Sequence, residues 1–181
     1  KIIKICDLRE FIDRKFNLKG IGLIVTGTIF SGVIRKGDNI ILSPKGIEGR
    51  VRGIQSQNKV SEVAYTGQRC ALNLVGTNIE KSSISRGDWI LSKELHFPSN
   101  CMDAIISVSL NEKKPLKSWT RAHLHLGSSK IICRVITLED KEIMPGCNGL
   151  VQLKLEQETS SSFEDRFILS CLLYTSPSPR D

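Results

Sequence analysis

The chain has 181 residues, 40% of them apolar and 25% charged, enough for one large domain or two small ones with a core each. No apolar run approaches the roughly 20 residues of a membrane helix and no basic, apolar leader opens the chain, so a soluble, cytoplasmic protein without membrane contact is expected. The formal net charge of +7 is unevenly placed, with sixteen Lys/Arg against nine Asp/Glu in residues 1–97 and ten against ten in residues 98–181.

KIIKI is already strand-like at Lys1 and no Met opens the chain, which predicts an internal piece of a longer protein. β-Branched runs with period-2 alternation then recur at short spacing. They are GLIVTGTI, NIILSP, RVRGIQ and RCALNLVG, separated by the turn signals FSG, RKGD, PKG and YTGQ. A break at LHFPSNC, residues 95–101, precedes a second set: MDAIISVSL, RAHLHLGSSKIICRVITLE, GLVQLKLEQ and DRFILS. No stretch reads as a long helix. The pattern predicts an all-β protein of two consecutive small β-barrels, residues 1–97 and 98–171, whose closure removes exposed strand edges. LLYTSPSPRD, residues 172–181, has no periodicity; a disordered tail is expected there, and a non-native origin is one reading of it.

KFNLKGIGLIVTGTI, residues 15–29, sets Gly20, Gly22 and Gly27 around a β-branched run. A phosphate-cradling loop needs its glycines at a strand-to-helix junction, where backbone N–H groups and a helix N-terminus aim at the anion. Here strand follows, the spacing is GxGxxxxG, and neither GxxxxGKS nor GxxxxGKT occurs. A tight bend between two strands is predicted instead.

His123 and His125 alternate with Leu124 and Leu126 and so face one side of a strand. A metal would need a third ligand, and only the distant His96 offers itself, so polar strand-face residues and no metal site are predicted. Glu139, Asp140 and Glu142 surround Lys141 in LEDKE, which reads as a solvated turn. With no Ser/His/Asp or Cys/His arrangement either, no catalytic residue is expected. The six cysteines, Cys6, Cys70, Cys101, Cys133, Cys147 and Cys171, form no CxxC and no zinc spacing, which predicts reduced, mostly buried small apolar residues. A basic half without an amphipathic basic helix favours RNA over a membrane as its polyanion; a solvated face with no partner is the competing reading.

The recognisable stretches are longer than these motifs. FIDRKFNLKGIGLIVTGTIFSGVIRKGD, then RVRGIQSQN, AYTGQRCALNLVG and RGDWIL closely resemble the second domain of translational GTPases, and most of all that of the selenocysteine-specific elongation factors. RAHLHLGSSKIICRVITLE, MPGCNGLVQLKLE and DRFILS resemble the third domain of the same family. Elongation factor Tu is similar over residues 13–38 but does not carry GQRxALNL or the LHLG segment. The resemblance spans about residues 3–170. Leu23 stands where Thr is usual and Gln57 where His is common, and the chain departs at Ser170, ahead of the family's C-terminal domains.

The resemblance implies two β-barrels of a GTPase whose nucleotide domain, with its GTP and Mg2+, is not in this chain, so no cofactor is expected here. It implies a monomer with selenocysteinyl-tRNA and the ribosome as partners, and an mRNA hairpin read only by the missing C-terminal domains. The family's aminoacyl pocket falls on Asp13, Arg14 and Arg69. There two guanidinium groups would attract a selenolate while Asp13 orients one of them or accepts from the esterified amino group. Lys15, Lys19, Arg50, Arg52 and Lys59 are candidate phosphate contacts to tRNA or ribosomal RNA. The alternatives are the same domains of another translational GTPase of the elongation factor Tu or initiation factor 2 gamma type, a β-barrel enzyme with a metal at His123 and His125, and a structural barrel pair without an RNA role.

Overall fold

The computed structural model describes residues 7–57, 59–80 and 84–171, which divide into two compact units. Residues 7–99, 126–129 and 158–166 make up the first, and 100–125, 130–157 and 167–171 the second. Residues 172–181 lie outside the described residues, as does Cys6.

The first unit opens with a hairpin of β1 (Arg9–Leu18) and β2 (Gly22–Ser31). Its turn uses Gly20 at φ +83° and Gly22 at φ +101°, where a side chain would strain the backbone, and Ile21 N donates to Leu18 O at 3.0 Å. The glycine-rich stretch is therefore a bend between strands. β3 (Val33–Arg35), β4 (Asn39–Ser43), β5 (Ile47–Ser56), β6 (Lys59–Ser61), β7 (Val63–Tyr65), β8 (Arg69–Val75) and β9 (Trp89–Leu91) follow. The sheet runs β4-β9-β1-β2-β8-β5-β6, and β4 also pairs with β5, which closes six strands into a barrel; β3 and β7 pair separately. Alternate residues point inward, and Ile12, Val25, Ile29, Ile34, Leu72 and Ile90 are fully buried. Each such side chain contributes roughly 1.5–3 kcal/mol of transfer free energy.

Arg9 and Glu10 break that alternation, since both are buried at the start of β1. The Arg9 guanidinium lies 4.3 Å from the Trp89 ring and donates through Nη1 and Nη2 to the two carboxylate oxygens of Asp165, each at 2.6 Å.

The second unit contains β10 (Ser99–Ser107), β11 (Leu116–Lys117), β12 (Thr120–Leu126), β13 (Ser129–Thr137), β14 (Glu142–Ile143), β15 (Asn148–Thr159) and β16 (Phe167–Cys171). Five strands form a half-barrel in the order β10-β15-β13-β12-β16, and β11 pairs with β14. Ala122, Leu124, Cys133, Val135, Val151 and Leu153 fill its inner face. The fold is all-β with two consecutive units, as predicted, the first sheet closed into a barrel and the second a half-barrel.

A single 3-10 turn, Lys93–Leu95, is the helical element among the described residues, and none there is long and apolar enough to cross a membrane. The cysteine expectation needs correction. Cys70 and Cys133 are buried, but Cys101 and Cys147 are exposed, because Cys101 takes an outward position on β10 and Cys147 sits in the turn before β15.

Candidate functional site

The hydrogen-bond register of β1 slips where the site is built. Ile12 pairs with Gly27 and Arg14 with Thr26, so Asp13 is an extra residue with no partner on β2, a β-bulge. The bulge presses the β1 backbone onto β2. A Cβ on Gly27 would lie 1.9 Å from Phe11 O, and only glycine fits.

A bulge re-aims the side chain it displaces, and here the displaced residue is a carboxylate. Asp13 Oδ1 accepts from Thr26 Oγ1 at 2.8 Å, and Oδ2 accepts from Arg69 Nη1. Arg69 reaches it from β8, on the far side of β2, where it is the register partner of Thr28. Partial burial pushes the Asp13 carboxyl up, but the Thr26 hydroxyl and the Arg69 and Arg14 guanidiniums outweigh it and hold the group below the usual carboxylate range. Asp13 is therefore ionised at neutral pH.

The Asp13–Arg69 pair is half open to solvent, with side-chain exposures of 24% and 56%. Such pairs stabilise a fold by only about 0–1 kcal/mol. Its larger consequence is to fix the direction of a guanidinium. A guanidinium carries five N–H donors, and among the described residues only Nη1 of Arg69 has an acceptor. Arg14 acts on Asp13 through its charge and has no hydrogen-bond acceptor among the described residues. The cluster can thus offer donors from two guanidiniums to an anion.

Beneath the bulge, Glu10 is fully buried. Its Oε1 accepts from Cys70 Sγ at 3.5 Å, and its Oε2 has no partner. Burial pushes the Glu10 carboxyl up to about 8, with the Cys70 hydrogen bond opposing and the Asp13 charge reinforcing the shift. Neither Glu10 nor Thr26 is singled out by the sequence reading. A signal for Glu10 exists, because REFIDR places an acid two residues from the inward Ile12, on the buried side of the strand.

The candidate phosphate contacts scatter. Lys19 and Arg52 line one shallow recess with Gly20, Ile21 and Gly22 at the β1–β2 turn. Arg50 Nε donates to Gly37 O at 3.0 Å, Lys59 is exposed on β6, and Lys15 Nζ is engaged by Ile84 O. His123 and His125 do share one face of β12, with ring centroids 6.3 Å apart, and no metal-ligating group of three is found among the described residues. Glu139 and Asp140 are exposed in their turn, while Glu142 lies on β14 opposite Lys117.

Residues 22–91 match the family model of elongation factor Tu domain 2, and residues 103–170 match that of the β-barrel domain of selenocysteine-specific elongation factor. The selenocysteine-specific elongation factor of Escherichia coli K12 is 42% identical over 132 residues, covering 73% of this chain and 21% of that protein. The one from Desulfomicrobium baculatum is 34% identical over 158 residues, covering 87% of this chain and 25% of that protein. The chain belongs to the selenocysteine-specific elongation factor family. A crystal structure of a bacterial selenocysteine-specific elongation factor superposes with a TM-score of 0.77 at 25% identity, covering 93% of this chain and 26% of that one. The chain spans about a quarter of the length of these selenocysteine-specific factors.

Proposed function

We propose that this chain supplies the tRNA-binding barrels of a cytoplasmic selenocysteine-specific elongation factor, and that Asp13, Arg14 and Arg69 choose the aminoacyl group. The full protein would deliver selenocysteinyl-tRNA to the ribosome as a monomer, driven by GTP and Mg2+ in a domain outside this chain. Domains beyond the chain would read the mRNA hairpin.

The choice to be made is between a selenol and a hydroxyl on the same tRNA. A selenol is far the more acidic, so at neutral pH selenocysteine presents an anion and serine a neutral group. The observation that carries the reading is the bulge cluster, in which Asp13 holds Arg69 by one N–H while the remaining donors and Arg14 lie open. A charge-assisted hydrogen bond to the selenolate would contribute roughly 1.5–3 kcal/mol, about ten- to a hundredfold in affinity. Serine would leave the same guanidiniums without an anion, and a site built for a polar group rejects a competitor that lacks it. Because Asp13 already orients Arg69, little ordering remains for the ligand to supply.

The test is a binding titration with selenocysteinyl- and seryl-tRNA on a full-length factor carrying these barrels. Arg69→Ala is expected to bring the two affinities together. A preference that survives intact removes Arg69 from the pocket.

A further inference from the structure

Two side-chain contacts cross β2 from β1 to β8, one on each face of the sheet. On the outer face Asp13 reaches Arg69, and on the inner face Glu10 reaches Cys70, whose Sγ donates to Glu10 Oε1 at 3.5 Å. Gly27 opens the inner crossing. It is the register partner of Ile12 on one side and of Cys70 on the other, and a Cβ there would lie 2.8 Å from Glu10 Oε1. Arg69 and Cys70 are consecutive, so the two crossings end on opposite faces of one step of β8.

Glu10 is an expensive way to fill the inner face. Its Oε2 is buried without a hydrogen-bond partner, which destabilises a fold, and an apolar side chain would occupy the space without that cost. Its register partners, Ile29 on β2 and Ile90 on β9, carry no charge. The titratable groups that face it are the Cys70 thiol of β8, which burial pushes up and keeps protonated, and the Asp13 carboxylate of its own strand, with Arg69 on the other face of β8. Burial pushes Glu10 up to about 8, against the Cys70 hydrogen bond and with the Asp13 charge, so the neutral acid predominates at pH 7.

The protonation state of Glu10 sets the charge beneath the bulge. With Glu10 neutral, the two guanidiniums of Arg14 and Arg69 outnumber the single carboxylate of Asp13, and an anion can take the excess; with Glu10 ionised the group is balanced. We propose that Glu10 is a positioning residue for the aminoacyl choice: as a neutral acid under the Asp13–Arg69 pair it leaves the cluster an uncompensated cation for the selenolate, and its ionisation withdraws the preference over serine. This role rests on the pocket reading and adds to it a residue that touches no ligand. By reciprocity, a bound anion favours the protonated acid.

The experiment uses a full-length factor carrying these barrels, with selenocysteinyl- and seryl-tRNA whose amino acids are amide-linked to survive alkaline pH. Affinities are measured from about pH 6.5 to about pH 9, which brackets the Glu10 value. The selenol is ionised and the serine hydroxyl neutral throughout, so the ratio of the two affinities reports on the protein. In the parent the preference for selenocysteinyl-tRNA is expected to fall about tenfold across the range, which corresponds to a shift of about one pH unit in Glu10 on anion binding. Glu10→Gln, neutral at every pH, is expected to hold the ratio constant. A purely structural Glu10 would weaken both tRNAs together and leave the ratio unmoved, so parallel profiles for the two proteins overturn the proposal. A second measurement follows the Glu10 carboxyl by NMR in the 181-residue chain, where Asp13→Asn is expected to lower its midpoint. An unchanged midpoint also overturns the proposal, since Glu10 would then not sense the cluster. A preference that survives Arg69→Ala refutes the pocket reading and this role with it. One lost in Arg69→Ala, yet parallel in parent and Glu10→Gln, refutes this role alone.

Discussion

Asp13 and Arg69 meet across an intervening strand: the carboxylate leaves β1 at a bulge, the guanidinium comes from β8, and Thr26 of β2 donates to the same carboxylate at 2.8 Å. Three strands thus fix one ion pair. Thr26→Val keeps the shape and removes the hydroxyl, so the Asp13 carboxyl should titrate higher than in the parent chain. The sign follows from the depressed value: the stabilisation by Asp13 is present above its unfolded value and is lost as pH falls through the folded one. Side-chain carboxyl chemical shifts followed by NMR from pH 6 downward, an experimental range of about four units, check this. An identical Asp13 midpoint in both proteins would mean that Thr26 does not support the pair.

Gly27 and Gly20 look alike in the sequence and should respond differently to alanine. At Gly27 a methyl would lie 1.9 Å from Phe11 O and 2.8 Å from Glu10 Oε1, against backbone that is fixed by the bulge. Gly27→Ala is expected to cost about 3 kcal/mol or more. At Gly20 the space is open and only the positive φ resists, so Gly20→Ala should cost about 1 kcal/mol. Urea denaturation of the two variants gives the ordering, and equal losses would contradict the close contact at the bulge.

This contrast marks how far the sequence reaches. Period-2 runs such as GLIVTGTI made the strands legible, and the strand that follows Gly22 ruled out a phosphate loop. The contact of Asp13 with Arg69 was not legible from spacing, because strict alternation carries no sign of an inserted residue, and only resemblance grouped the two. Arg9 and Glu10 were hidden for the opposite reason. A polar residue in a strand is read as outward, yet both point in, one stacked on Trp89 and the other beside Cys70. Asp165 lies far along the chain from Arg9, as does Ser160 from Ser43, with which it shares a buried hydroxyl–hydroxyl hydrogen bond, so no local pattern could assign them to the first unit.

Glu10 predicts a stability that falls with rising pH. Its folded value, about 8, is above that of the unfolded chain, so the native state holds a proton that the unfolded state has released. Stability is fully present below the unfolded value and declines as pH rises from about 4.5 toward 8. The full span corresponds to up to about 5 kcal/mol. Glu10→Gln keeps the shape without the ionisation, so it should flatten this dependence and raise the melting temperature at pH 8 more than at pH 5. Parallel melting curves for the two proteins across that range would show that Glu10 is not the group responsible.

Arg9 and Asp165 make another buried polar contact, with side-chain exposures of 2% and 7% and two 2.6 Å hydrogen bonds. Removing one partner from such a pair leaves a charge in a dry site and typically costs about 3–5 kcal/mol. Arg9→Met and Asp165→Leu should each fall in that range, because each leaves the other's charge in a site with 2% or 7% exposure. Replacing both, Arg9→Met with Asp165→Leu, should recover most of the loss, since two apolar groups need no mutual compensation. A double-mutant cycle by chemical denaturation measures the coupling directly. If the two single losses simply add, the pair is not what ties residues 158–166 into the first unit, and the stacking of Arg9 on Trp89 is left to account for its burial.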